Sequence, residues 1–141
     1  MTFMGSNALW RAIKKNGDEA MFRFFEGLQR RKLIITRCPP CDTLHFPPRF
    51  FCPDCHNEDV KLEEHTGRGQ VYSFTTMVQQ FFGGAPSTVG MVELEGVEGR
   101  IFSRVEIPYK EMAIGMEVAV DYFEMEEIVL HCFRPVAKGS R

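Results

Sequence analysis

Nowhere in the 141 residues do apolar side chains run for the roughly 18 positions that a membrane-spanning helix needs. No signal-like apolar leader is present, and a cytoplasmic protein is expected. The chain has no internal repeat and no low-complexity tract, and with 44% apolar and 26% charged residues wholesale disorder is set aside. An excess of either charge is also missing: 17 Lys and Arg face 19 Asp and Glu, for a net charge of −2. A protein that lives on DNA or RNA carries a basic excess instead. The distribution is nevertheless uneven. Residues 1–40 hold eight Lys or Arg against three acidic residues, whereas 111–127 hold six acidic residues and no basic one. A chain of this length has room for one small core and a stapled module beside it.

Catalytic motifs are missing as well. A nucleophile needs a base held by an orienting group, and Ser73, Ser87 and Ser103 stand in no such context. The four histidines suggest no relay. His131 and Cys132 adjoin each other, but neighbours on a strand point to opposite faces, so Cys132 is expected to be a buried strand residue. Glu93 and Glu95 share a face without convergent partners. Independent catalysis is not expected.

What the chain does have is four cysteines in two Cys-x-x-Cys pairs, Cys38/Cys41 and Cys52/Cys55, separated by ten residues. Each pair can offer two thiolates from a tight turn, and the connection between them can fold back as a hairpin. Four sulfur ligands suit zinc, and a site closed by four protein ligands leaves no position for water or substrate, so the metal is structural rather than catalytic. Iron held by four thiolates is the weaker alternative. Two disulfides or a lone thioredoxin-like pair fit the context less well. Asp42 and His56 follow the second cysteine of each pair, where turns often adopt φ > 0; Asp and His tolerate that better than most residues. His45 and His56 are read as turn or surface residues, not ligands.

The remaining pattern is mainly β. Leu9, Trp10 and Ile13 lie on one helical face. After Asn16 and Gly17, Asp18 is placed to cap a second helix with Met21, Phe22, Phe25 and Leu28 on one stripe. These apolar faces either pack on the body of the protein or meet another subunit, with Trp10, Phe22 and Phe25 as candidate anchors. Leu33, Ile34 and Ile35 start a strand into the first knuckle, and Phe50 and Phe51 supply a small apolar patch. From Gly67 the helical signal stops. Residues 69–81 alternate, with Val71, Ser73, Thr75 and Met77 against Tyr72, Phe74, Thr76 and Val78. Further strands are expected at 88–94, 100–107, 117–123 and 128–133, with a turn at 96–99. Five short strands suggest a small, partly open barrel of the oligonucleotide/oligosaccharide-binding (OB) type; a small sandwich or an SH3-like barrel has a similar pattern.

In this order the segments resemble the DUF35 family. The stretches that carry the likeness are FFEGL at 24–28, RCPPCDTLHFPPRFFCPDC at 37–55, GRGQVYSFTTM at 67–77, MVELEG at 91–96, IGMEVAV at 114–120 and FRP at 133–135. The resemblance implies N-terminal helices at 1–32, a rubredoxin-like zinc ribbon at 33–66 and a C-terminal five-stranded OB-fold barrel at 67–141. It also implies an accessory role. Family members are typically encoded beside, or complexed with, thiolase-like enzymes of acyl-CoA metabolism, and some work with acyltransferases, lipid-transfer-protein-like aldolases or hydroxymethylglutaryl-CoA synthases, or are fused to hotdog-fold hydratases. A scaffold or acyl-CoA-binding subunit is the expectation, with Cys38, Cys41, Cys52 and Cys55 holding the ribbon and the Phe22/Phe25 helix docking on the enzyme. The chain departs from the family at Asp42 and His56, where glycine is common.

Coenzyme A phosphates would call for cations, and Arg37, Arg49 and Arg68 are the candidates, with Arg30, Arg31 and Lys32 near the ribbon. The alternative function is single-stranded nucleic-acid binding, since zinc ribbons and OB folds both serve it and Tyr72, Phe74 and Phe102 are candidate stacking residues. A basic groove should accompany such stacking, and the acidic C-terminal strands argue against it.

Overall fold

The computed structural model describes residues 19–78, 86–125 and 127–136. Trp10, the helical face around it and the Asp18 cap lie outside them. Among the described residues the fold is mainly β, with one α-helix, a ribbon sheet and a closed five-stranded barrel. No helix among the described residues is long and apolar enough to cross a membrane.

Helix α1 (Glu19–Gln29) buries Ala20, Phe24, Gly27 and Leu28, one stripe at helical spacing. It stops in a Schellman turn. Arg31, at φ 58°, donates its N–H to the Leu28 carbonyl, while the Lys32 N–H reaches back to Gly27. The chain then enters β1 (Leu33–Cys38), which lies between β2 (Thr43–His45) and β3 (Lys61–His65), both antiparallel to it.

The barrel is built from β4 (Arg68–Val78), β5 (Pro86–Leu94), β7 (Ile101–Val105), β8 (Glu117–Met125) and β9 (Ile128–Pro135), closed in the order β4-β5-β7-β9-β8. Strands β7 and β9 run parallel, with Arg104 opposite Cys132, and the other pairs are antiparallel. Closure removes the free edges that an open sheet would expose. Val71, Val92, Leu94, Ile101, Val105, Val118 and Phe133 fill the interior together with Phe24 and Leu28 of α1, so the helix plugs the barrel core. Gln29 clamps it further, donating Nε2–H to the Val129 carbonyl at 3.1 Å and accepting the Val129 N–H at 2.9 Å.

Two details depart from the sequence pattern. The alternation expected through β4 breaks at Tyr72, where a bulge shifts the register between Val71 and Ser73. One extra residue reverses the faces beyond it, so Val71 and then Phe74 pack inward while Tyr72 is 46% exposed. The turn expected at 96–99 contains a short strand, β6 (Val97–Glu98), that leaves the barrel and pairs in parallel with β2. The ribbon sheet, in the order β3-β1-β2-β6, therefore crosses the expected 66/67 boundary. The seam is reinforced by the Phe46 N–H on the Glu98 carbonyl at 3.0 Å and by His65 Nε2–H on the Glu95 carbonyl at 2.8 Å.

Candidate functional site

The two cysteine pairs form matching knuckles. Cys38 ends β1, and the Asp42 N–H closes a turn onto the Cys38 carbonyl at 2.7 Å; the His56 N–H does the same to Cys52 at 2.8 Å. Asp42 and His56 both take positive φ, 55° and 66°. The turn geometry is thus the one that favours glycine, adopted by two of the residues that tolerate it best. All four sulfurs lie within 4.8 Å of one another, with Cys38 to Cys55 at 3.6 Å and Cys41 to Cys52 at 3.9 Å. Tetrahedral coordination at ~2.3 Å per metal–sulfur bond requires sulfur edges of about 3.8 Å, so the set fits a four-coordinate metal. None of these cysteines is in a disulfide.

Electrostatics favours the same conclusion. Burial pushes the Cys38 thiol up, and Cys41 is raised by its contact with Cys55 and then by burial. Burial also opposes ionisation of Cys52, but the N–H groups of Cys55 and Asp54 outweigh it and draw that thiol down to about 6. The thiolate is favoured at Cys52 and disfavoured at Cys38 and Cys41 unless a cation compensates the gathered charge. A metal bound here supplies a cross-link between the two knuckles.

The expectation that both nearby histidines are turn or surface residues holds for His56, which is exposed, and fails for His45. His45 ends β2 and is 4% exposed, 3.7 Å from the Cys52 sulfur. Pairing of β2 between β1 and β6 turns it inward, a placement that depends on β6 and so had no local signal.

The candidate cations are dispersed. Arg37 forks onto Glu63 (2.7 and 3.0 Å) and also reaches Asp42 at 2.6 Å. Its hydrogen bonds hold the Glu63 carboxyl below the usual carboxylate range. Arg49 lines a cavity of about 210 Å³ with Phe50, Val60 and Leu62. A second cavity of about 400 Å³ lies between α1 and β3, with Arg30 and Lys32 above Ile34 and Leu62. Arg23 and Leu62 line both. Arg68 stands apart at the start of β4, between the buried Gly67 and Gly69. Phe22 and Phe25 are half-buried against Ile128, and Phe25 makes an edge contact with Phe24. Not every aromatic enters the core: Tyr72 and Phe102 keep about half their surface, and the Arg100 guanidinium covers the Tyr72 ring at 3.6 Å.

One polar pair escaped the sequence pattern. Ser103 Oγ lies 2.7 Å from His131 Nδ1, 28 residues away, because parallel β7 and β9 bring them together. Ser103 is 3% exposed, and the partly exposed His131 packs its ring on Phe24 and Phe133, so the hydroxyl is buried in the barrel wall rather than open to a substrate. Cys132, buried as expected, has its thiol pushed up to about 11 by burial. Burial also draws His131 down to about 4 from 6.5. The unfolded chain takes up this proton below about pH 6.5 and the folded chain only below about 4, so stability rises with pH across that window. Two and a half pH units at about 1.4 kcal/mol each give a full effect of about 3 to 4 kcal/mol. His131→Phe is expected to flatten that part of the pH profile. Denaturant midpoints measured for both proteins between pH 5 and 7 check this, and parallel profiles would refute it.

Against known proteins, residues 25–61 match the rubredoxin-like zinc ribbon domain of ChsH2 and residues 63–123 match the ChsH2 C-terminal OB-fold domain. A chain of the Ltp2-ChsH2(DUF35) aldolase structure superposes with a TM-score of 0.74 at 35% identity, covering 85% of this chain and 97% of that one. A DUF35 protein of unknown function from Sulfolobus solfataricus superposes with a TM-score of 0.66 at 19% identity, over 89% of this chain and 92% of that one, a likeness of fold. A DUF35 domain-containing scaffold protein from Methanocaldococcus jannaschii is 29% identical over 121 residues, 78% of this chain and 82% of that protein. A probable enoyl-CoA hydratase alpha subunit from Thermomonospora curvata is 36% identical over 123 residues, 85% of this chain. The chain spans 38% of that relative's length. The chain belongs to the DUF35 family, with its ribbon and OB-fold barrel in the order that defines the match.

Proposed function

We propose that this DUF35 member is a non-catalytic accessory subunit of an acyl-CoA-processing assembly, a scaffold that carries a structural zinc in its ribbon. The observation that carries the proposal is the near-complete match, over 97% of its length, to a chain of the Ltp2-ChsH2(DUF35) aldolase structure. The hydratase alpha subunit and the archaeal scaffold protein point the same way. A thiolase-like enzyme is the finer form of the partner proposal, and the apolar face around Phe22 and Phe25 its proposed contact, with Trp10 a further candidate from the sequence alone. Direct acyl-CoA binding is proposed for the paired cavities beside α1. There Arg30, Lys32 and Arg49 would meet phosphates and Ile34 and Leu62 an apolar tail. Ser103 and His131 are not proposed as a catalytic pair, since a nucleophile must reach its substrate and the Ser103 side chain is buried.

Native affinity purification from the source cell, with mass spectrometry of retained proteins and elemental analysis of the eluate, tests the proposal. An acyl-CoA enzyme recovered with about one zinc per chain is the expected result. Recovery of the metal-loaded chain alone, or with nucleic acid that dissociates as salt is raised, would overturn the accessory role. Calorimetric titration of the purified chain with coenzyme A checks direct contact, for which saturable binding weakened by Arg30→Glu is expected.

A further inference from the structure

His45 is the buried group that the cysteine motif does not account for. Its backbone is pinned on both sides, opposite Thr36 on β1 and opposite Glu98 on β6. Its ring has almost no exposed surface, so its direction is set by packing. Nε2 lies 3.7 Å from Cys52 Sγ and 3.0 Å from Thr43 Oγ1, with the Asp54 carboxylate at 3.8 Å; Nδ1 lies 3.7 Å from the Glu98 carboxylate. We propose that His45 is a positioning residue of the metal centre, a donor whose Nε2–H holds the Cys52 thiolate in place. The proposal rests on the reading of the four cysteines as a metal site.

Hydrogen-bond chemistry carries it. A thiolate that ligates a metal has lost its proton and only accepts, so the ring holds Cys52 in the tautomer with its hydrogen on Nε2, which the Thr43 hydroxyl oxygen at 3.0 Å shares as a second acceptor. Cys52 Sγ already accepts the Asp54 N–H at 3.4 Å, and His45 supplies the second donor. Two donors reduce the charge density on this sulfur. The arrangement connects the ribbon's metal to the seam as well, because β6, which fixes His45 from the other side, belongs to the barrel connection. His45, Cys52 and Asp54 also fall within ligand distance of one another. With four sulfurs at tetrahedral spacing, His45 acts on a ligand rather than as one.

The test uses the full chain loaded with zinc or cobalt(II). Zinc transfer to an excess of a chelating chromophore is followed in the wild type and in His45→Leu, His45→Asn and His45→Gln. Loss of the donor in His45→Leu is expected to speed release by about 10-fold or more, the usual effect of removing a group that orients a ligand. His45→Gln places an N–H near the reach of Nε2 and should stay close to wild type, whereas the shorter His45→Asn should release quickly. The cobalt–thiolate charge-transfer band should shift in the Leu and Asn variants and return in Gln, a signature that lost packing alone would not produce. Should His45→Leu not fold, the Asn and Gln pair decides, and equal rates with equal spectra would overturn the proposal. A wild-type cobalt spectrum of three sulfurs and one nitrogen would overturn it by making His45 a ligand. A wild type without bound metal would overturn the metal reading and the proposal together, whereas a loaded wild type indistinguishable from His45→Leu would overturn the proposal alone.

Discussion

Cys52→Ser is expected to abolish stoichiometric metal binding and to unfold the ribbon while leaving the barrel strands paired. Cys52 is fully buried, its backbone is tied to Asn57 and His56, and its sulfur lies 3.9 Å from Cys41. A serine oxygen is shorter, harder and far less easily ionised than a thiol. The ribbon has little core of its own, and metal binding to such modules supplies on the order of 10 kcal/mol of folding free energy. The loss should therefore appear as a structural transition rather than a small shift in midpoint. Elemental analysis combined with amide hydrogen exchange checks this: metal should fall to background, and protection should vanish across β1–β3 while β8 and β9 retain theirs. Chelator treatment of the wild type under mild denaturant should reproduce the pattern. A Cys52→Ser chain with full metal content and a protected ribbon would refute the site.

The second large effect concerns the seam. Gly96 and Gly99 flank β6 and both have positive φ, 71° and 111°. A Cβ on Gly96 would meet nothing within 4 Å, whereas one on Gly99 would sit 2.1 Å from the Phe46 carbonyl oxygen, a backbone atom that cannot turn aside. Gly96→Ala is expected to cost about 1 kcal/mol, the penalty of a left-handed conformation. Gly99→Ala should cost at least about 3 kcal/mol, because the clash must push β6 from β2 and lose the Phe46–Glu98 hydrogen bond. Urea unfolding of the two variants side by side measures the difference. Equal costs would mean that ribbon and barrel are not held together at this point.

Much of the architecture was legible because its determinants are local. Cys-x-x-Cys spacing dictates a knuckle whatever surrounds it, and the sulfur distances agree with the metal set read from it. The strands of the barrel were visible as β-forming runs between glycines and prolines, although β1, β8 and β9 extend beyond the expected ends because pairing, not propensity, sets their length. Alternation misled at Tyr72, where one bulged residue exchanged the two faces. The cations were visible as residues but not as charges available to a ligand: Arg37 is paired with Glu63 across strands and with Asp42 in the knuckle turn.

By itself, then, the sequence determined the clustering of the four cysteines, the positive-φ turns at Asp42 and His56, the mainly β character and the order ribbon before barrel. Each of these depends on residues within one turn or one strand. Only the tertiary structure decided that β6 completes the ribbon sheet, that His45 faces Cys52, that Ser103 meets His131 and that α1 closes the barrel core. All four depend on register between strands or on packing between segments distant in the chain. Alternation specifies which face a side chain takes, but not which strand will lie beside it.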